Sequence, residues 1–148
     1  MRRRIALLVG TSMLLAVTVS PVRGAAATPV TIDAQSSFDG PATFTATGIP
    51  DCSAGTQSQD ARVVGRGSAL VFDVNTTFTC AGGSLDVHVH ASVRPCDPRD
   101  RGSWVITGGT GTLADLHGAG TLVGTYFPGD SCNADGIDDH YTGFVVIP

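Results

Sequence analysis

The sequence has no lysine and no glutamate: its nine cations are all Arg and its thirteen acids all Asp. That usage matches the codons of a GC-rich genome. It also removes two strong helix formers, which favours a β protein. Other absences narrow the chemistry. There is no Cys-x-x-Cys or Cys-x-x-His, so zinc-ligand spacing is missing. No Gly-Lys-Ser/Thr accompanies the glycines, so a phosphate-binding loop is not built. No Gly-x-Ser-x-Gly elbow is present; Ser68 and Ser84 only neighbour glycines, and Asp115 and His117 share a turn without forming a triad. Beyond residue 27 no stretch is apolar for long enough to cross a bilayer as a helix.

The N-terminus supplies what the rest lacks. Met1-Arg2-Arg3-Arg4 is basic, Ile5 to Val19 is an apolar run of 15 residues, and Pro21 and Gly24 break it before Ala25-Ala26-Ala27. This order reads as a secretory signal peptide over residues 1–27, cleaved after Ala27, ahead of one domain over 28–148. The expected location is extracellular. Residues 28–148 carry five Arg against thirteen Asp, a net charge of −8, which disfavours nucleic acid and anionic membrane as partners. Four cysteines, Cys52, Cys80, Cys96 and Cys132, read as two disulfides in an exported chain. Three connectivities are possible. The pairing of sequence neighbours, Cys52–Cys80 and Cys96–Cys132, is the expected one, since each pair flanks strand-like segments.

Period-two patterning dominates the domain. Thr28 to Gln35 reads as an edge strand or a frayed end, and Ser37 to Gly48 as a strand. Pro50 to Asp60 is polar enough to be a loop pinned by Cys52. Ala61 to Cys80 reads as one long strand, or two broken near Gly65-Arg66-Gly67. Ala81 to Ser84 is a hairpin turn. The return strand alternates most cleanly: Leu85, Val87, Val89, Ala91 and Val93 on one face, Asp86, His88, His90 and Ser92 on the other. Arg94 to Gly102 reads as a loop, Ser103 to Thr107 and Ala119 to Phe127 as strands, and Pro128 to Asp139 as a second long loop. His140 to Pro148 closes the chain as a strand whose apolar run, Phe144 to Ile147, suggests cover on both sides. The sum is an all-β single antiparallel barrel of about eight strands with two disulfides.

A glycine-rich turn marks that fold: Gly108, Gly109 and Gly111, then Gly118 and Gly120 entering the next strand, with Leu113 and Leu116 as a plug under one barrel end. The order Ile106-Thr107-Gly108-Gly109-Thr110-Gly111, Gly118 to Gly124, and Tyr141-Thr142-Gly143 resembles the allene-oxide-cyclase-like and dirigent-like barrels. From Phe78-Thr79-Cys80 onward the chain is also similar to small exported proteins of high-GC bacteria. The resemblance spans Phe44 to the C-terminus and implies an eight-stranded antiparallel barrel with a central cavity. The plant cyclases it brings in use a buried Glu, which this chain lacks. Dirigent cavities are lined by Asp, Arg and Tyr, with no residue-by-residue match here, so no catalytic residue is carried over.

Two weaker constellations concern metal. His88 and His90 share a strand face, and Asp86, His117 or His140 would have to supply a third ligand. Asn133 to Asp139, with Asp135 and Asp139, resembles a calcium loop but has Ser131 at the expected first position and no closing Glu. A solvated strand face and a solvated Asp-rich loop are the plainer readings, and no cofactor is expected. Asn75-Thr76-Thr77 is a formal glycosylation sequon inside a strand. Two functions follow: a non-catalytic barrel that binds a small apolar ligand or a partner surface, or a cyclase- or dirigent-type enzyme holding a reactive molecule in its cavity. The strand face that points inward discriminates: Asp86, His88 and His90 lining a cavity would favour the enzyme, and Leu85, Val87 and Val89 filling the interior would favour a structural or interaction domain.

Overall fold

The computed structural model describes residues 26–147; the signal-peptide reading up to residue 25 lies outside the described residues. Eight strands follow in order: β1 (Ala27–Ser37), β2 (Ala42–Thr47), β3 (Ala54–Arg66), β4 (Leu70–Cys80), β5 (Gly83–Val93), β6 (Arg99–Gly109), β7 (His117–Phe127) and β8 (Gly136–Val146). Each pairs antiparallel with its sequence neighbours, and β1 pairs with β8 to close the barrel. The only helical turn among the described residues is Gly111–Leu113. No helix among them is long and apolar enough to cross a membrane.

The alternation of β5 sets inside from outside. Leu85, Val87 and Val89 are each 1% exposed and fill the interior with Ile32, Phe78 and Val145. Their neighbours His88 and His90 point outward and share Asp73, with His90 Nδ1 2.7 Å from its carboxylate. Four aromatics cross the core as a chain of edge-to-face contacts: Phe44 to Phe78 at 4.9 Å, Phe78 to Tyr141 at 5.6 Å, and Tyr141 to Trp104 at 6.4 Å between ring centroids. Rings in this arrangement set the positive edge of one against the negative face of the next.

The two ends of the barrel differ. At one end the Gly111–Leu113 turn folds Leu113 and Leu116 inward, 0% and 4% exposed, as the plug that the sequence suggests. Gly111 has φ +62, and a Cβ there would run into the Gly82 carbonyl, so the turn needs glycine. Cys52–Cys80 staples this end, while Cys96–Cys132 ties the β5–β6 loop to the β7–β8 loop at the other.

Several expected boundaries are corrected. β1 is neither an edge nor frayed, since β8 pairs with its whole length and β2 with Thr31 to Gln35. Residues 54–60 are strand rather than loop; of the two readings of Ala61 to Cys80 the structure has the second, two paired strands broken after Arg66, with a bulge between Val63 and Gly65. β6 begins at Arg99 and β8 at Gly136, inside segments whose composition reads as loop. Phe144 is 57% exposed, so the last strand is covered on one side only. β2 is short: it pairs only with Ala54 to Gln57, leaving the rest of β3 without a partner on that side. Asp60 and Arg62, paired at 3.1 Å, place charge along this free stretch, the usual protection of an exposed strand edge.

Candidate functional site

Above the aromatic chain, at the end away from the leucine plug, the interior is not filled. A cavity of about 270 Å³ remains, walled by Val74, Val89, Ala91, Leu122, Ile137 and Tyr141. Phe38, 59% exposed, and Ser131 stand at its mouth. The mouth lies beside the free stretch of β3, whose Gln59 and Ala61 also line it.

Two carboxylates face into this apolar space. Asp100, on β6, and Asp139, on β8, are each 6% exposed. Strand β7 runs between them, and its register sets Gly124 opposite both. The Gly124 amide donates to Asp100 Oδ1 at 2.9 Å, and Tyr126 Oη donates to Asp100 Oδ2 at 3.4 Å. Gln59 Nε2 donates to Asp139 Oδ2 at 3.5 Å. A side chain at position 124 would occupy the space the two acids share: a Cβ there would contact Asp100 Oδ1 and would lie 2.8 Å from Asp139 Oδ1.

Burial governs the protonation of these groups. Asp139 is pushed up to about 7, first by loss of water and then by the neighbouring Asp100 carboxylate. Asp100 is also raised by burial, against the opposing pull of the Gly124 amide and the Tyr126 hydroxyl. The Tyr126 and Tyr141 hydroxyls are raised by burial and by the same carboxylates, so both stay neutral phenols in water near neutrality. The lining holds two acids and neither Arg nor His. An acid pair without a cation in a low-dielectric pocket holds a proton at neutral pH in preference to two charges.

Two further polar atoms belong to this interior. Gln57 gives its Nε2 to Ser36 Oγ, but its Oε1 has no hydrogen-bond partner among the described residues, while the Thr76 hydroxyl lies against that of Tyr141. Gln57 is 8% and Thr76 1% exposed. Alternation puts Gln57 on the face of β3 that carries Gln59, and Thr76 on the face of β4 that carries Val74; both of those neighbours line the cavity.

The site residues singled out from sequence lie mostly elsewhere. Gly108 and Gly109 end β6, and Gly118 and Gly120 open β7, as a fold marker would. His88 and His90 are outside the barrel; Asp86 is held by Thr77 at 2.8 Å and His140 by Asp33 at 2.6 Å, so none joins them as a third ligand. Among the described residues the only cluster with metal-ligand proximity is Cys96, Asp130 and Cys132, and its sulfurs are spent in a disulfide. The calcium-loop reading also fails geometrically. β8 starts at Gly136, so Asp138 faces out, Asp139 faces in, and Asp135 stays in the loop. Asp115 and His117 are exposed, and Ser84 bonds Thr110 instead.

Asp100 is the residue that sequence reading passed over; it stood in a segment taken as loop. No family model matches the chain, and neither a curated protein nor a solved structure matches it significantly.

Proposed function

We propose that the chain is a secreted, disulfide-stapled barrel that takes a small, largely apolar molecule into its open end and performs no chemistry on it. The observation that carries this reading is the division of the interior: plugged at one end by Leu113 and Leu116, and left at the other as a cavity of about 270 Å³ with mainly apolar walls. A concave, mostly apolar space with a few convergent polar groups is the usual form of a small-molecule site. Leu85, Val87 and Val89 fill the core, the outcome that counts against catalysis. Secretion is supported by the basic-apolar-small order of residues 1–27, and the two disulfides are compatible with an extracellular location. The outward faces carry Asp33, Gln35, Asp73, His88, His90 and Arg101, the inverse of a barrel facing lipid.

One observation keeps a second reading in play. Asp100, Asp139 and Tyr126 put exchangeable protons inside the cavity. This is what a cyclase- or dirigent-type enzyme of the barrel class that the sequence resembles would use on a reactive guest. The test is native mass spectrometry of protein purified from its own secretion medium, beside an Ala91→Phe variant that fills the cavity. A co-purifying small molecule that the variant loses supports the binder, and the same molecule recovered chemically altered supports the enzyme. A protein that carries nothing and takes up no apolar probe contradicts both.

A further inference from the structure

We propose that the cavity recognises a small apolar amine, its ammonium seated between Asp100 and Asp139 and its hydrocarbon body against Val74, Val89, Leu122 and Ile137. The inference rests on the ligand-cavity reading above and names the class of ligand.

Charge and valence both argue for it. The acceptors that face the cavity are the carboxylate oxygens of Asp100 and Asp139, and beside it the buried Gln57 Oε1 has no partner among the described residues. Inside the lining, donors come only from Gln59, Tyr126, Tyr141 and Ser131, and no cation is supplied. Buried carboxylates are ordinarily paired or hydrogen-bonded to a cation, and each buried acceptor left unmade costs free energy. An ammonium brings three donors and one positive charge. A metal ion would match the charge but not the walls, which are hydrocarbon around most of the cavity. Gly124 lets the two acids converge, since a side chain there would run into both.

Proton release accompanies such binding. The groups that face the acid pair are Tyr126 from β7, Gln59 from β3 and Tyr141 from β8, with Asp138 pointing outward beside Asp139. None is a base. Near and below pH 7, where Asp139 still holds its proton, an ammonium displaces it to solvent and the carboxylate pair passes from one negative charge to two.

The experiment is calorimetric titration of the purified protein with 2-phenylethylamine, its neutral isostere 2-phenylethanol, the anion phenylacetate, and calcium chloride. Protein and an Asp100→Asn/Asp139→Asn variant are compared; the variant keeps the shape and removes the buried charge, and its alcohol binding reports that it is folded. At pH 8 the amine is expected to bind at least about tenfold more tightly than the alcohol, the factor one charge-assisted hydrogen bond supplies. Below pH 7 the advantage shrinks by up to about tenfold per unit as Asp139 holds its proton. In the variant the advantage disappears while alcohol binding persists. Alcohol binding without preference for the amine, or a preference that survives in the variant, overturns the amine inference and leaves the apolar-cavity reading standing. Calcium competing with the amine, or phenylacetate binding best, also overturns it. Failure of every organic probe overturns both readings.

Discussion

The carboxylates of Asp100 and Asp139, carried by two strands that are not paired in the sheet, converge over the backbone of Gly124 on the strand between them. Their meeting is a matter of register: Asp100 pairs with Gly124, Gly124 pairs with Asp139, and alternation sends both side chains inward. Any residue larger than glycine at 124 would sit in the acid pair.

The first prediction tests that convergence. In Gly124→Ala the added methyl meets Asp100, lies 2.6 Å from Ile137 Cδ1 and 2.8 Å from Asp139 Oδ1. Part of this can relax, because Ile137 is flexible at its tip. The carboxylates cannot move far without entering the cavity. Overpacking of this kind costs about 1–3 kcal/mol, to be read as a lower midpoint in chemical denaturation. An unchanged midpoint would mean that the two acids do not meet at Gly124.

Stability should run against the usual acid trend. Asp139 titrates near 7 in the fold and near 3.8 in the unfolded chain, so between those values the folded state binds the extra proton. Stability is then full below about pH 4, falls as pH rises toward 7, and levels off above it. The slope is at most about 1.4 kcal/mol per pH unit for one group. Asp100, raised in the same direction, adds to the fall. Denaturant melts from pH 4 to 8 check this, and Asp139→Asn should flatten the curve. A stability that rises with pH over that window would contradict the buried, raised carboxyl.

The same acids explain what the sequence hides. β5 could be read directly because every inward residue from Leu85 to Val93 is apolar and every outward one polar or small. In β6 the inward residue Asp100 stands between outward Arg99 and Arg101, so three charges in a row erase the alternation. In β8 the adjacent Asp138 and Asp139 face opposite sides and read as one acidic loop. Gln57 and Gln59 do the same to β3. An inward polar residue removes the signal by which its strand is recognised, so Asp100, Asp139, Gln57 and Gln59 fall in segments that read as loops. The barrel, the plug and the disulfide pairing needed only the regular strands around them.

A third prediction concerns the mouth. Cys96–Cys132 joins the two loops nearest the cavity opening, while Cys52–Cys80 lies at the plugged end with Cys52 2% exposed. In the chain-entropy model each bridge contributes on the order of 3 kcal/mol. The bridges differ in what else they hold. Removing Cys96 and Cys132 together as serines should lower stability and also weaken uptake of an apolar probe. Removing Cys52 and Cys80 should lower stability at least as much but leave probe affinity per folded molecule unchanged. Equal loss of affinity in both variants would show that the mouth is not held by its bridge.

The last prediction turns on Trp104, whose indole fits where β7 and β8 carry glycine at a paired position. Its Nε1 donates to the carbonyls of Thr121 at 3.1 Å and Thr142 at 3.2 Å. A Cβ on Gly143 would lie 2.7 Å from the indole Cζ2, but it would also meet the Ala119 carbonyl and sit 2.8 Å from the Gly120 Cα. The glycines therefore answer two demands at once, room for the ring and close approach of two backbones. Trp104→Phe should cost about 2–4 kcal/mol, through lost packing and two carbonyls left without the indole donor. Gly143→Ala should cost a similar amount. If only the ring mattered, the smaller Phe would relieve the alanine, and the double variant would be no worse than Trp104→Phe alone. The backbone contact is unaffected by the ring, so the double variant is expected to be less stable than either single one. A thermodynamic cycle of the four proteins measures it: recovery in the double variant would assign these glycines to the tryptophan alone.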